Sequence, residues 1–543
     1  MIEEFNTASI LLQSAMDRYL NACIGIKQFH ERNGTSNIIS SELSTRLASE
    51  SQMLPLLEAK LKEASVAINS ARNMSNHLVP INSIPPELLA HTFHLLLGWQ
   101  FRAKRTLGSL DGENPNYSQI LSHVCSHWRR IAVNSCSLWT HIELRTLDSA
   151  NQGLIDRART YATRAGSLLL YIRLTDPPNP GGPRYAHAAN LNTFFVPFAA
   201  RVRSLELVLQ NNNPHRVQHS TLSAFLNYCI PGIFTELITN KRCITFGPTG
   251  TDEIDDSSPI SFIRTSGNSN HEHNLDLFLN IDKPHLERIF RSLTTLCLNR
   301  IYPTWSSNAY HNLVELRLTG ETSVPEHDLV AILGSSPRIR FLALGVDIIL
   351  PVPTEILIST VALPELEALH VHGMGHDGLG LLFRWLAPGS KPLQLTLSGS
   401  DDDDDFSDDN TKAFFDRSNV TQLYAFRVNN TGVIRLLGLC PHLKTIAMEE
   451  SDFACTSANG PFPIQISSLR AIYMMHCTIE VHELLAIVKL NNVHTLAFYD
   501  CPLYPSQAEA IEEFSTFCPD IRISFLSDRH PIEEWDIFEN FEW

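Results

Sequence analysis

Apolar residues in the second half of the chain recur in a short phrase, apolar-x-x-apolar-x-apolar. Leu293-Thr-Thr-Leu296-Cys-Leu298 is echoed by Leu313-Val-Glu-Leu316-Arg-Leu318, and further copies start at Ile339, Leu366, Val420, Leu443, Leu469 and Val493. Weaker copies lie near Leu393 and Ile521. The alternation inside each copy predicts a strand with one buried face. Between copies, helical spacing covers Asp328 to Leu333, Gly378 to Leu386, Gly432 to Leu439, Val481 to Leu490 and Ser506 to Phe517. Several of these run into Ser336-Pro337, Cys440-Pro441 or Cys518-Pro519, where proline stops a helix before the next strand. Upstream, Ile142-Glu-Leu144, the alternating Leu168, Leu170, Ile172 and Leu174, and Leu205-Glu-Leu207-Val-Leu209 predict further strands, with a helix at about Gln152 to Thr163.

Clear neighbouring copies are 20 to 27 residues apart, counted from first apolar residue to first apolar residue. That phrase at that period is the signature of leucine-rich repeats. A strand–helix unit buries its apolar side only against neighbours, so the set is expected to stack into an α/β solenoid over 145–526. Parallel strands are expected near Leu296, Leu316, Leu342, Leu369, Leu423, Ile446, Ile472 and Leu496, on the concave side, with helices on the convex side. Two copies extend by a cysteine, Leu469-x-x-Ile472-x-Met474-x-x-Cys477 and Val493-x-x-Leu496-x-Phe498-x-x-Cys501, so both thiols read as buried structural groups. Residues 177–183 and 246–274, rich in Pro, Gly, Ser, Asp and Asn, read as loops.

The first 79 residues follow a different rhythm. Leu43, Leu47, Leu54, Leu57, Leu61, Ala64, Ile68 and Ala71 step by four and three once Glu50 joins the series, which is the seam of a coiled coil or helical hairpin. Pro55 falls inside it, so two helices or one kinked helix are expected. Residues 7–30 supply an antiparallel partner, either on the same chain or on another copy.

A second helical block spans 80–144. Ser83 can cap a helix that begins with Pro85 and Pro86, and Leu88, Leu89, Phe93, Leu96 and Leu97 form one apolar face of it. A second helix, about Tyr117 to Val133, carries Leu121, Val124, Cys125, Trp128, Ile131 and Ala132, and Leu138-Trp139 follows. Ile84-Pro85-Pro86-Glu87-Leu88-Leu89, Phe93, Val124-Cys125-x-x-Trp128-Arg129 and Leu138-Trp139 together resemble an F-box, more narrowly the F-box-like proteins abundant in mushroom-forming fungi. The segment 98–116 departs from that pattern, being longer and more polar than the family's turn. The resemblance implies the substrate receptor of an SCF-type ubiquitin ligase. Ile84, Pro85, Pro86, Leu88, Leu89, Phe93, Leu96, Leu121, Val124, Cys125, Trp128, Arg129, Ile131, Leu138 and Trp139 would then bind a Skp-type adaptor, which carries cullin and RING subunits. The repeats would bind a protein substrate. A different class competes, a scaffold outside the ubiquitin system whose helical block only caps the solenoid.

Charge narrows the partners. Lys and Arg number 42 against 58 Asp and Glu, a net charge of −16, so no broad basic field collects nucleic acid or anionic membrane. Eleven scattered cysteines without a CxxC pattern read as reduced thiols, and a cytoplasmic or nuclear setting is expected. His123 and His127 share a face of a continuous helix, but Cys125 points about 160° away at ~100° per residue, so no zinc site is expected. His376-Asp377 sits in a glycine-rich turn, and the chain lacks GxSxG, GxxxxGK[ST], GxGxxG and HExxH. Neither catalysis nor a cofactor is expected. Asp401 to Asp405 with Asp408 and Asp409 reads as a solvated acidic loop, 400–410, and the acidic-aromatic tail 527–543 as a cap on the last repeat.

Overall fold

The computed structural model describes residues 1–33, 41–73, 79–106, 117–145, 152–175, 188–209, 216–241, 244–246, 252–254, 260–265, 276–353, 359–399, 406–453, 466, 468–491, 493–504, 506–518 and 521–526. Two compact units divide the chain, residues 1–88 with 125–127 and residues 89–124 with 128–543. The tail 527–543 and the aspartates 401–405 lie outside the described residues.

The first unit holds two long helices, α1 (Ile2–Asn33) and α2 (Ser41–Asn73). The Tyr19 hydroxyl donates to Glu50 Oε2 at 2.9 Å. In a parallel pair this contact would set the end of α1 and the start of α2 roughly 35 Å apart along the axis, beyond the ~25 Å a seven-residue link spans, so it requires an antiparallel pair. Pro55 lies inside a single helix and not at a break. Its ring removes one backbone bond, and on an exposed stretch the freed carbonyl turns to water.

Helix α3 (Pro86–Thr106) continues through the first half of the segment read as a polar turn. Ser83 does not cap it, because its hydroxyl donates back to the Pro80 carbonyl at 2.6 Å within a 3-10 turn. The second predicted helix is two, α4 (Tyr117–Val124) and α5 (Ser126–Asn134), interrupted at Cys125. A 3-10 turn, Cys136–Trp139, leads into the solenoid.

The solenoid is built on one fourteen-stranded sheet whose order follows the sequence. Its first strands are β1 (His141–Arg145), β2 (Leu170–Thr175), β3 (Val202–Leu209), β4 (Glu236–Lys241) and β5 (Thr295–Asn299). The middle is β6 (Glu315–Pro325), β7 (Phe341–Ile349), β8 (Ala368–Val371) and β9 (Leu393–Ser398). It ends with β10 (Val420–Phe426), β11 (Thr445–Glu449), β12 (Ala471–Met475), β13 (Thr495–Tyr499) and β14 (Arg522–Leu526). Every neighbouring pair is parallel, and equivalent apolar residues stand in register: Leu296 opposite Leu316, Leu316 opposite Leu342, Leu342 opposite Leu369. All eight predicted strands are present and their leading apolar residues are buried. Burying one such side chain contributes ~1.5–3 kcal/mol, and only the neighbouring rung can supply the cover.

Helices return the chain between rungs. They are α6 (Gln152–Arg164), α7 (Ala188–Phe198), α8 (Arg216–Tyr228), α9 (Lys283–Phe290) and α10 (Glu326–Gly334). The last five are α11 (His376–Trp385), α12 (Asp409–Asp416), α13 (Asn430–Leu439), α14 (Val481–Leu490) and α15 (Gln507–Phe517). Two expectations of loop are corrected. Asp408 accepts the Thr411 N–H at 2.9 Å and caps α12, so the end of the acidic run starts a helix that buries Phe414 and Phe415. Within 246–274, Ser261–Thr265 forms a strand beside Ile301–Pro303, and Asp252–Ile254 pairs with Ile244–Phe246.

Candidate functional site

Two surfaces were open to prediction, the helical block and the sheet face turned away from the helices. In the block, Leu89, Phe93 and Leu97 are spaced by four on α3 and fall on one side, which is buried. Phe93 meets Trp128 of α5 with ring centroids 5.0 Å apart. Trp139 is fully buried, donates its indole N–H to the Ala132 carbonyl at 2.8 Å, and packs edge-on against Tyr161 of α6 at 4.8 Å. The Arg164 guanidinium lies 4.4 Å over the same indole. The Ser118 hydroxyl donates to the Leu138 carbonyl at 2.8 Å, and Arg129 Nε to the Ser122 carbonyl at 2.8 Å. The block thus closes on itself and is pinned to the first repeat through Trp139.

This splits the predicted adaptor residues. Leu89, Phe93, Leu121, Ile131, Leu138 and Trp139 are interior, which corrects their assignment to a contact surface. The resemblance implied them as a set, and a motif identifies apolar positions without saying which neighbour covers each. Leu96 and Val124 are exposed, at 39% and 54%, as are Leu95 at 62% and Ile120 at 46%, two residues the sequence reading passed over. Trp128 is half-buried and Arg129 exposed. In the first unit, Leu88, Pro85 and Pro86 are exposed, and Ile84 and Cys125 are half-buried. With the helix interrupted at Cys125, His123 and His127 no longer share a continuous helical face. Among the described residues no group of three or more His, Cys, Asp or Glu side chains is placed to hold a metal.

The sheet's outer face is set by the residues between the buried leucines, since successive strand side chains point to opposite faces. Across β5 to β9 this column is Cys297, Arg317, Ala343, His370 and Thr396. Arg317 pairs with Glu315 at 2.6 Å, and His370 Nδ1 lies 2.8 Å from the Thr396 hydroxyl. Burial, with the Arg317 charge and His372 beside it, pushes His370 down to about 3, and burial pushes His372 down to about 4. The His372 ring occupies the place a side chain on Gly345 would take, 2.0 Å from the position of a Cβ there.

Further along, the face turns aromatic. Tyr424, Phe426, Ala447 and Met475 form a buried cluster edged by the half-buried Tyr473 and Tyr499. The Tyr424 hydroxyl donates to Glu449, and burial with that carboxylate holds its pKa well above the phenol range. At the end of each strand one residue adopts a left-handed backbone: Arg427, Glu450, His476 and Asp500, with φ of 52°, 48°, 50° and 48°. The first three donate their N–H to Glu449, Met475 and Tyr499 carbonyls at 2.9, 3.1 and 2.9 Å, so each turn extends the ladder. Left-handed conformation costs roughly 1–2 kcal/mol per non-glycine residue, offset here by a made hydrogen bond. Arg427 pairs with Glu450 at 2.6 Å and His476 with Asp500 at 3.3 Å along this rim. The sequence signal for the cluster was present in the positions between paired apolar residues, Tyr424, Ala447 and Tyr473, but the residue types there follow no repeat.

The two cysteines at equivalent repeat positions differ. Cys477 is buried, with its thiol 3.2 Å from the Met475 carbonyl, whereas Cys501 is only half-buried, a correction to the expectation for both. The Cys477 N–H donates to Cys501 Sγ at 3.4 Å.

No protein-family model and no curated sequence matches this chain. Among solved structures it is similar to a leucine-rich-repeat protein of Leptospira interrogans, at 13% identity over 72% of this chain and 91% of that one, with a TM-score of 0.30. It is also similar to an internalin of Listeria monocytogenes, at 12% identity over 63% of this chain and 90% of that one, with a TM-score of 0.24. Scores this low place no residue by correspondence; the repeat assignment stands on the chain's own strand register.

Proposed function

We propose that this leucine-rich-repeat chain is the substrate-recognition subunit of an SCF-type ubiquitin ligase. In this reading, α3 to α5 dock on a Skp-type adaptor that links the chain to cullin and RING subunits, and the outer face of the sheet holds a protein substrate. The supporting observation is that the helical block buries Leu89, Phe93 and Leu97 and seats Trp139 on the first repeat, yet leaves Leu95, Leu96, Ile120 and Val124 exposed on α3 and α4. A contiguous apolar patch left in water on a folded module marks an interaction site, and these four are read as one such patch. The chain itself does no chemistry. It holds a target lysine near a charged ubiquitin carrier, replacing a bimolecular encounter with a local one. Cytoplasm or nucleus is the setting this function requires, and free cysteines suit it.

Truncating or charging an apolar anchor at such an interface costs ~2 kcal/mol or more, roughly thirtyfold in affinity. A Leu96→Asp/Val124→Asp variant should therefore lose co-purification with a Skp adaptor while its circular dichroism stays that of the parent. Parent protein that never captures the adaptor, or a variant that captures it equally, would refute the reading. The scaffold reading is favoured by a separate observation, the burial of Trp139 against Tyr161, which is what a capping module needs. Failure of adaptor capture leaves that reading in possession.

A further inference from the structure

The α1–α2 hairpin carries far more apolar surface than it covers. No described residue of either helix is buried, and eighteen large apolar side chains on the two are exposed, ten on α1 and eight on α2. The Tyr19–Glu50 contact sets one seam, with Leu12 level with Leu57 and Met16 level with Met53. A second line, Ile10, Leu20 and Ile24, lies roughly 120° round α1 from that seam, at about 100° per residue. These three are exposed at 68%, 58% and 41%. Helix α2 alone cannot cover both lines of α1.

Size and charge indicate what does. At about half exposure, eighteen such side chains present on the order of 1,000 Å² of apolar surface round the two helices, more than soluble monomers usually leave open, and the face about Ile10, Leu20 and Ile24 supplies part of the ~800 Å² each partner gives a stable interface. The hairpin has eight acidic residues (Glu3, Glu4, Asp17, Glu31, Glu42, Glu50, Glu58, Glu63) and seven basic ones (Arg18, Lys27, Arg32, Arg46, Lys60, Lys62, Arg72). Its net charge is −1 in a chain of −16. A near-neutral apolar module selects neither a basic nor an acidic partner and has no cationic face for anionic lipid, whereas two copies of it meet without net repulsion. We propose that the α1–α2 hairpin is a self-association module, pairing with the same hairpin of a second copy into a four-helix bundle about the Ile10–Leu20–Ile24 line. A two-fold interface of this kind is self-complementary, so one line of residues serves both copies.

Sedimentation equilibrium of the full chain across the micromolar range tests this. The expected mass is two chains of 61.0 kDa each, falling by half in an Ile10→Glu/Leu20→Lys/Ile24→Glu variant whose helical circular dichroism is unchanged. These positions avoid the Leu12/Met16 seam, so the hairpin should remain. If the triple variant loses helix, Leu20→Arg alone takes its place, with the same halving expected. Parent protein at one-chain mass throughout, or a helical variant that keeps the parent's mass, overturns the proposal.

Discussion

His370 is a polar side chain on the outer sheet face that water nevertheless does not reach, and its neutrality is a condition of folding. Its pKa is held at about 3 and that of His372 at about 4, against the ordinary 6.5. Both folded values are depressed, so the unfolded chain binds more protons in the window between them. Stability is therefore complete above about pH 6.5 and falls as pH drops toward 3 to 4. At pH 5 each histidine should cost roughly 2 kcal/mol, at 1.36 kcal/mol per pH unit. Urea midpoints measured from pH 7.5 to 4.5 should show that loss, and His370→Gln/His372→Gln should flatten the part these residues cause. An equally steep slope in the double variant would show that other groups carry it. Position 370 was legible as outward-facing from its place between Leu369 and Val371. Its burial was not, because that depends on Arg317 and Thr396 arriving from other strands, 53 and 26 residues away.

Between elements, one buried carboxylate ties three successive repeats. Glu326, at the start of α10, is fully buried and accepts from Arg384 Nη2 at 2.8 and 2.9 Å, from the Trp385 indole N–H at 3.0 Å and from the Val352 N–H at 2.6 Å. Arg384 and Trp385 end α11, so the contact fixes the spacing of α10 and α11 across the repeat between them. Removing one partner of such a pair leaves the other charge stranded, and Glu326→Ala should destabilise the chain by about 3–5 kcal/mol in chemical denaturation. Glu326→Gln, which retains an acceptor oxygen, should cost less; equal losses would mean that packing and not charge is at issue. Helices α10 and α11 were legible from periodicity, but this link was not. α12 was hidden differently: its aspartate run dominated the composition, while the informative residues were the cap Asp408 and the pair Phe414-Phe415.

On the scale of the molecule, Trp139 joins the helical block to the repeats. Trp139→Ala removes a fully buried indole and should cost ~3–5 kcal/mol. A solenoid transmits such a loss mainly to neighbours. Hydrogen exchange should therefore accelerate across 117–145 and 152–175 and stay slow in the strands 420–426, 445–449, 471–475 and 495–499. Uniform acceleration would mean that the fourteen rungs open as one cooperative body.

The sequence by itself determined the repeat unit, the parallel register and the two-helix beginning, because each follows from spacing that a residue shares with its near neighbours: period two for a strand, three to four for a helix, twenty-odd for a rung. What tertiary structure alone decided was which apolar side of each element is covered. Leu89 and Leu96 are indistinguishable by helical pattern, yet one is interior and the other faces water. Cys477 and Cys501 occupy one repeat position, yet only the first is sealed. Spacing fixes the direction in which a side chain points, whereas burial depends on the neighbour across the gap, which is supplied by parts of the chain that no local pattern names.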